Sequence, residues 1–165
     1  MPLQPRAVVD ETGINMRAVR EELGLTQEEF ASLVGYSTRA IQSCEQGWRH
    51  PGTALEKGAL LLLIAHRNGG DLGHFRCWDI MSCALDRRQR CMTYLCGQGH
   101  LCWYLSGTLC GHVHMHHWDD KRLVCVKCAV LRRMLGDEGD PEPSQCHPDE
   151  AEARETGREA GGEAG

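Results

Sequence analysis

Apolar positions recur at helical spacing through the first third of the chain. Met16, Val19 and Leu23 lie three and four residues apart, the signature of one helix face. Gly24-Leu25 ends that helix. Thr26-Gln27-Glu28-Glu29 then reads as a capping box, with the Thr26 hydroxyl accepting from the Glu29 amide while Glu29 reaches back. Phe30, Leu33 and Val34 mark the next buried stripe, and Gly35 permits a tight turn. Ser37 caps a third helix, predicted from about Thr38 to Gln46 and stopped at Gly47. On it, Ile41, Cys44 and Trp48 are expected to face inward, and Thr38, Arg39, Gln42 and Ser43 outward. Pro51-Gly52-Thr53 precedes a last helix carrying the apolar run Ala59–Ala65. Beyond it the helical period fades into the turn-rich Asn68-Gly69-Gly70-Asp71.

These patterns divide the chain into a leader (1–13), a helical unit (14–68), a hinge (69–76), a cysteine-rich unit (77–135) and a Gly/Glu/Ala tail (136–165) expected to be disordered. The predicted fold class is mainly α: a small helix-turn-helix bundle plus a small metal-stabilised cysteine-rich domain and an acidic tail. The longest apolar run, seven residues, cannot span a bilayer, and no secretory signal is recognised, so a cytoplasmic protein with no membrane partner is expected. The net charge of −5 looks wrong for a nucleic-acid binder until it is divided. From Gly136 onward ten acidic residues face two basic ones, so the rest of the chain is slightly basic. That balance permits DNA binding without announcing it, and places the burden on particular side chains.

Two short helices joined by a glycine turn, with a third before them, fit a helix-turn-helix. A helix polar outward at its N-terminal end can enter a major groove, where Arg39 suits guanine O6/N7 and Gln42 suits adenine. Gln27, at a helix start, is placed for a phosphate. The run MRAVREELGLTQEEFASLVGYSTRAIQSCEQGWRHP, Met16 to Pro51, resembles the Cro-type or xenobiotic-response-element (XRE) family of repressors. The resemblance implies an interhelical ion pair between Arg20 and Glu45. It also implies DNA-contacting positions at Gln27, Thr38, Arg39 and Ser43, double-stranded DNA as partner, and a homodimer. Cys44 departs from the branched aliphatic usual at its position.

Eight of the ten cysteines fall between Cys77 and Cys128. In a reducing compartment, clustered thiols are ligands or redox switches more often than structural disulfides. Cys125-Val126-Lys127-Cys128 is a C-x-x-C bite, and the pairs Cys77-Trp78 and Cys102-Trp103 repeat 25 residues apart. The segment Cys77–Leu131 resembles the two-CW domain. The matching positions are Cys77, Trp78, Cys83, Cys91, Cys102, Trp103, Gly107, Thr108, Cys110, Gly111, Lys121, Cys125 and Cys128, while Cys96 has no clear counterpart. Soft thiolate donors select an iron–sulfur cluster, zinc or copper(I). The expected ligands of an iron–sulfur cluster or zinc are Cys77, Cys83, Cys91, Cys102, Cys110, Cys125 and Cys128, with Trp78 and Trp103 as possible shields.

His112, His114 and His116 could converge on a metal from one strand face, but with His117 they read more readily as an exposed histidine-rich loop. Arg87, Arg88 and Arg90 read as a solvated basic patch, or as a contact to phosphate beyond the core site. Cys146, beside His147, reads as an exposed thiol. No phosphate-binding glycine loop or nucleophile elbow is present, and no enzyme activity is expected. The combined expectation is a DNA-binding transcriptional regulator whose cysteine unit senses metal or redox state. The alternative is a metal-binding adaptor or antitoxin-like protein whose helix-turn-helix contacts other proteins.

Overall fold

The computed structural model describes residues 8–10, 12–110 and 113–137. The expectations for Gly111, His112, Cys146 and the tail beyond residue 137 lie outside them. Among the described residues, about half are helical. A two-residue hairpin, β1 (Val9–Asp10) and β2 (Gly13–Ile14), leads into α1 (Met16–Glu22), α2 (Gln27–Val34), α3 (Thr38–Glu45) and the long α4 (Thr53–Arg67).

Local chemistry accounts for the first four helices. Asn15 caps α1 through the Ala18 amide. The Thr26–Glu29 capping box starts α2, and Gly35 ends it in the left-handed region at φ 74°. Ser37 caps α3 through the Ala40 amide. The buried faces meet at Val19, Phe30, Ile41, Leu60, Leu63 and Ile64, all fully enclosed.

Two expected core positions move outward. Leu33 is 61% exposed because Phe30, Ala31 and Val34 carry the narrow face that α2 turns to the core. Trp48 is 81% exposed. Helix α3 ends at Glu45 and Gly47 takes φ 75°, so the helical period no longer governs Trp48.

The cysteine-rich segment is assembled from one-turn pieces: α5 (Cys77–Ile80), α6 (Leu85–Arg88), α7 (Met92–Leu95) and a 3-10 turn (Gly99–Leu101). The hairpin of β3 (Thr108–Cys110) and β4 (Val113–Met115) follows, then α8 (Trp118–Cys125) and α9 (Ala129–Met134). Helices this short are not stable alone in water and depend on tertiary packing. Helix α4 supplies it. Leu55, Ala59, Leu60, Leu63 and Ile64 share one continuous core with Trp103, Trp118, Val130, Leu131 and Met134. A helix apolar on nearly all sides is one that is covered on nearly all sides.

Polar contacts fasten the same seam. The Trp118 indole donates to the Glu56 carboxylate, and Arg122 Nε stands 3.8 Å from that carboxylate. Lys57 donates to the Tyr104 carbonyl at 2.7 Å. At the far end of α4, Arg67 pairs with Glu22 at 2.6 Å and donates to the Leu135 carbonyl. The Asn68 amide donates to the carbonyls of Ile64 and Met134. The turn after α4 is thus tied to α9 by side-chain hydrogen bonds.

Candidate nucleic-acid interface and cysteine cavity

On α3, Arg39 and Gln42 are exposed, while Thr38 and Ser43 are half-buried. The Ser43 hydroxyl donates back to the Arg39 carbonyl at 2.9 Å, so its proton is used within the helix. Behind this face stands a fixed network. Arg20 Nε and Nη2 donate to the two oxygens of Glu45 at 2.6 and 3.1 Å, a bidentate pair joining α1 to α3. The Gln27 amide donates to Glu45 at 2.8 Å, and Gln42 donates to the Gln27 carbonyl at 3.2 Å. Arg17 adds a longer contact to Glu45, at 3.6 Å. The structure therefore brings Gln27, Gln42, Arg20 and Glu45 into one chain of hydrogen bonds, with Arg39 one turn before Gln42. Arg17 was not singled out from the sequence; only its position one turn before Arg20 hinted at this role.

Burial alone would raise the Glu45 carboxyl. Hydrogen bonds from Arg20 and Gln27, and the charges of Arg20 and Arg17, instead carry it below the ordinary glutamate range. A carboxylate depressed in the folded state contributes stability above its unfolded pKa, and that contribution is lost as pH falls through the folded value. Stability is therefore expected to drop on acidification below about pH 4.3. Glu45→Gln should flatten that part of the curve, read as urea midpoints at descending pH; equal slopes in both proteins would show that Glu45 is not the group responsible.

The second assembly is a cavity. Cys77, Cys83, Cys91, Cys102, Cys110, Cys125 and Cys128 all line it. Cys96 does not: it is exposed, with its sulfur 3.7 Å from Met92 Sδ. Trp78 stands at the cavity wall and meets Tyr94 edge-on at 5.0 Å. Trp103 instead packs into the shared core beside Trp118, 6.5 Å between ring centres. The expected basic patch is also divided. Arg87 is buried and lines the cavity, and Arg88 lines it while donating to the Cys83 carbonyl at 2.7 Å. Only Arg90 lies on the surface, near Asp86.

The thiols differ in their surroundings. A hydrogen bond from Cys102, with help from the Trp78 amide and the Lys121 charge, carries Cys77 below the ordinary thiol range against the effect of burial. The same hydrogen bond, burial, and the neighbouring charges of Cys77, Cys125 and Cys128 push Cys102 well above it. Burial pushes Cys83 and Cys110 up. Lys121, itself buried, donates to the Leu105 carbonyl and the Thr108 hydroxyl. Among the described residues, no three of His, Cys, Asp and Glu stand together closely enough to hold a single metal ion. His114 on β4 and His116 just beyond its end stack with ring centres 6.0 Å apart.

Residues 16–54 match the family model of the helix-turn-helix, of the XRE type. No curated protein and no solved structure matches the chain. The matched segment holds α1, α2, α3 and the start of α4, and supports a DNA-binding regulator. Among the described residues, no helix is long and apolar enough to cross a membrane.

Proposed function

We propose that the chain is a sequence-specific DNA-binding transcriptional regulator, without enzyme activity. In this reading α3 enters the major groove, and the cysteine-lined unit binds an iron–sulfur cluster or zinc and reports metal or redox state. The observation that carries it is the exposed pair Arg39 and Gln42 on α3, held beside a Gln27 that the Arg20–Glu45 pair fixes in place. Gln27 and Gln42 are held by these hydrogen bonds before they meet DNA, so less of their side-chain freedom is lost on binding. A homodimer would set two such helices on half-sites one helical turn apart.

For the metal, the support is donor chemistry. Seven thiols facing one cavity form a soft-ligand set. When bound, an iron–sulfur cluster would supply one-electron chemistry, whereas zinc would supply only structure. Buried Lys121, together with Arg87 at the cavity wall, offsets negative charge gathered on sulfur.

Selection from a random duplex pool with the full chain tests the DNA reading. One enriched sequence family is expected. No retention even at low salt contradicts it and favours an adaptor. On the selected site, Arg39→Ala should weaken binding by about 1–3 kcal/mol and relax preference at one base pair. Unchanged affinity removes Arg39 from the reading set.

A further inference from the structure

The geometry points to Cys77 and Cys102 as a reversible dithiol–disulfide pair, closed by a peroxide and reopened by a thiol reductant. This rests on the redox-reporting part of the function proposed above and gives that part a site.

Contact singles out the pair. The Cys77 sulfur accepts a hydrogen bond from the Cys102 thiol and another from the Trp78 amide. Hydrogen-bonded sulfurs are already neighbours, and a disulfide needs them to close to about 2.05 Å. Three other cavity thiols contact other groups. Cys91 accepts from the Leu109 amide at 3.5 Å, Cys110 donates to the Thr108 hydroxyl at 3.6 Å, and the Cys128 sulfur meets Met81 Sδ at 3.9 Å.

The backbone holds the two thiols together. Cys77 is the first residue of α5, Cys102 directly follows the 3-10 turn, and the two elements pack on one another. Gly99 stands at their contact. A Cβ there would lie 2.8 Å from the Arg76 Cα and 3.0 Å from both the Cys77 nitrogen and the Trp78 ring, so a side chain would push the turn away from α5.

The same contact accounts for the repeated Cys-Trp step. The two cysteines meet, while the tryptophans behind them part. Trp78 goes to Tyr94 at the cavity wall, and Trp103 goes into the core shared with α4. A bond between the sulfurs would join that wall covalently to that core.

The chemistry balances with hydrogen peroxide as the oxidant. The Cys77 sulfur, which accepts the hydrogen bonds, attacks one peroxide oxygen. The O–O bond breaks, and hydroxide leaves and takes up a proton as the first water, giving a sulfenic acid on Cys77. The Cys102 sulfur then attacks the Cys77 sulfur. Its proton goes to the sulfenic oxygen, which departs as the second water. Two thiols lose two electrons together and one peroxide gains them. A thiol reductant reverses the step by exchange, ending as its own disulfide. Neither Cys77 nor Cys102 is fully enclosed, as reaction with a small oxidant from solvent requires.

The test uses the full chain, reduced, stripped of metal with a chelator and treated with equimolar hydrogen peroxide. Alkylation, digestion and mass spectrometry of wild type should find a cross-linked peptide pair joining Cys77 to Cys102, with two thiols lost of the ten in the chain. Dithiothreitol should return both. Cys77→Ser and Cys102→Ser should each abolish the cross-link, and the double variant Cys125→Ser/Cys128→Ser should retain it. Gly99→Ala should slow it while keeping both thiols. Circular dichroism separates a lost bond from lost folding, and the wild-type mapping needs no variant.

Cross-links that join Cys77 to Cys83 or Cys110, or that are confined to Cys125 and Cys128, overturn the assignment. So does oxidation of Cys77 to a sulfinic acid with Cys102 left reduced. The disulfide in a chain that selects no DNA would remove the regulator reading and leave the pair standing. DNA selection by a chain whose Cys77 and Cys102 both stay reduced under peroxide does the reverse.

Discussion

Glu56→Ala is expected to destabilise the protein by about 3–5 kcal/mol, the cost of removing one partner from a buried charge contact. Glu56 is 1% exposed on the side of α4 that meets α8. Its carboxylate accepts from the Trp118 indole and faces the Arg122 guanidinium. Alanine would leave the indole N–H without this acceptor, away from water, and would take a carboxylate from beside the Arg122 guanidinium. Gly13 of β2 closes over the same spot; a Cβ there would lie 3.0 Å from the carboxylate and 3.3 Å from Arg122. Glu56→Gln retains an acceptor for Trp118 and should lose less. Urea unfolding followed by tryptophan fluorescence measures both; a loss below about 1 kcal/mol for Glu56→Ala would mean the contact is solvated.

Trp103→Ala should cost about as much, roughly 3–5 kcal/mol, through the cavity it leaves. Trp103 is 1% exposed and lies edge-on to Trp118 and Tyr104. The manner of unfolding is the more telling readout. Because Trp103 shares its core with Leu60, Leu63 and Ile64 of α4, helix content and fluorescence should be lost together, at one lowered midpoint. Separate transitions, with the helical signal unmoved, would show two independently folding halves.

The first helices were legible because their signals are local. The Thr26–Glu29 capping box, the Ser37 cap and Gly35 each act within four residues, and neighbouring side chains alone decide them. The errors arise where the chain leaves a regular element or meets a distant one. Trp48 was expected inside by carrying a helical period past Gly47, where the helix has already ended. Arg87 looked like surface because charge in a basic run is ordinarily solvated, yet α6 turns it toward the thiols. Glu56 drew no notice at all. Its signal was a carboxylate between Leu55 and Ala59 on an apolar helix, but its partner Trp118 lies 62 residues away, beyond any periodicity. The seven cavity cysteines were readable as a group from residue type. The close approach at Gly99, which lays the 3-10 turn on α5 beside them, was not, since it depends on which short helices touch.

A common core makes the proposed sensing physically direct. The α4 helix that packs against α1 and α2 also carries the Glu56 contact to α8, whose last residue is Cys125. A change at the thiols can travel that path to the helices behind Arg39. The decisive measurement is the affinity of the full chain for its selected DNA site, metal-loaded against metal-free, at one salt concentration. The account predicts a difference within the range typical of coupled sites, about 5- to 150-fold. Equal affinity in the two states, with both folded, would contradict it.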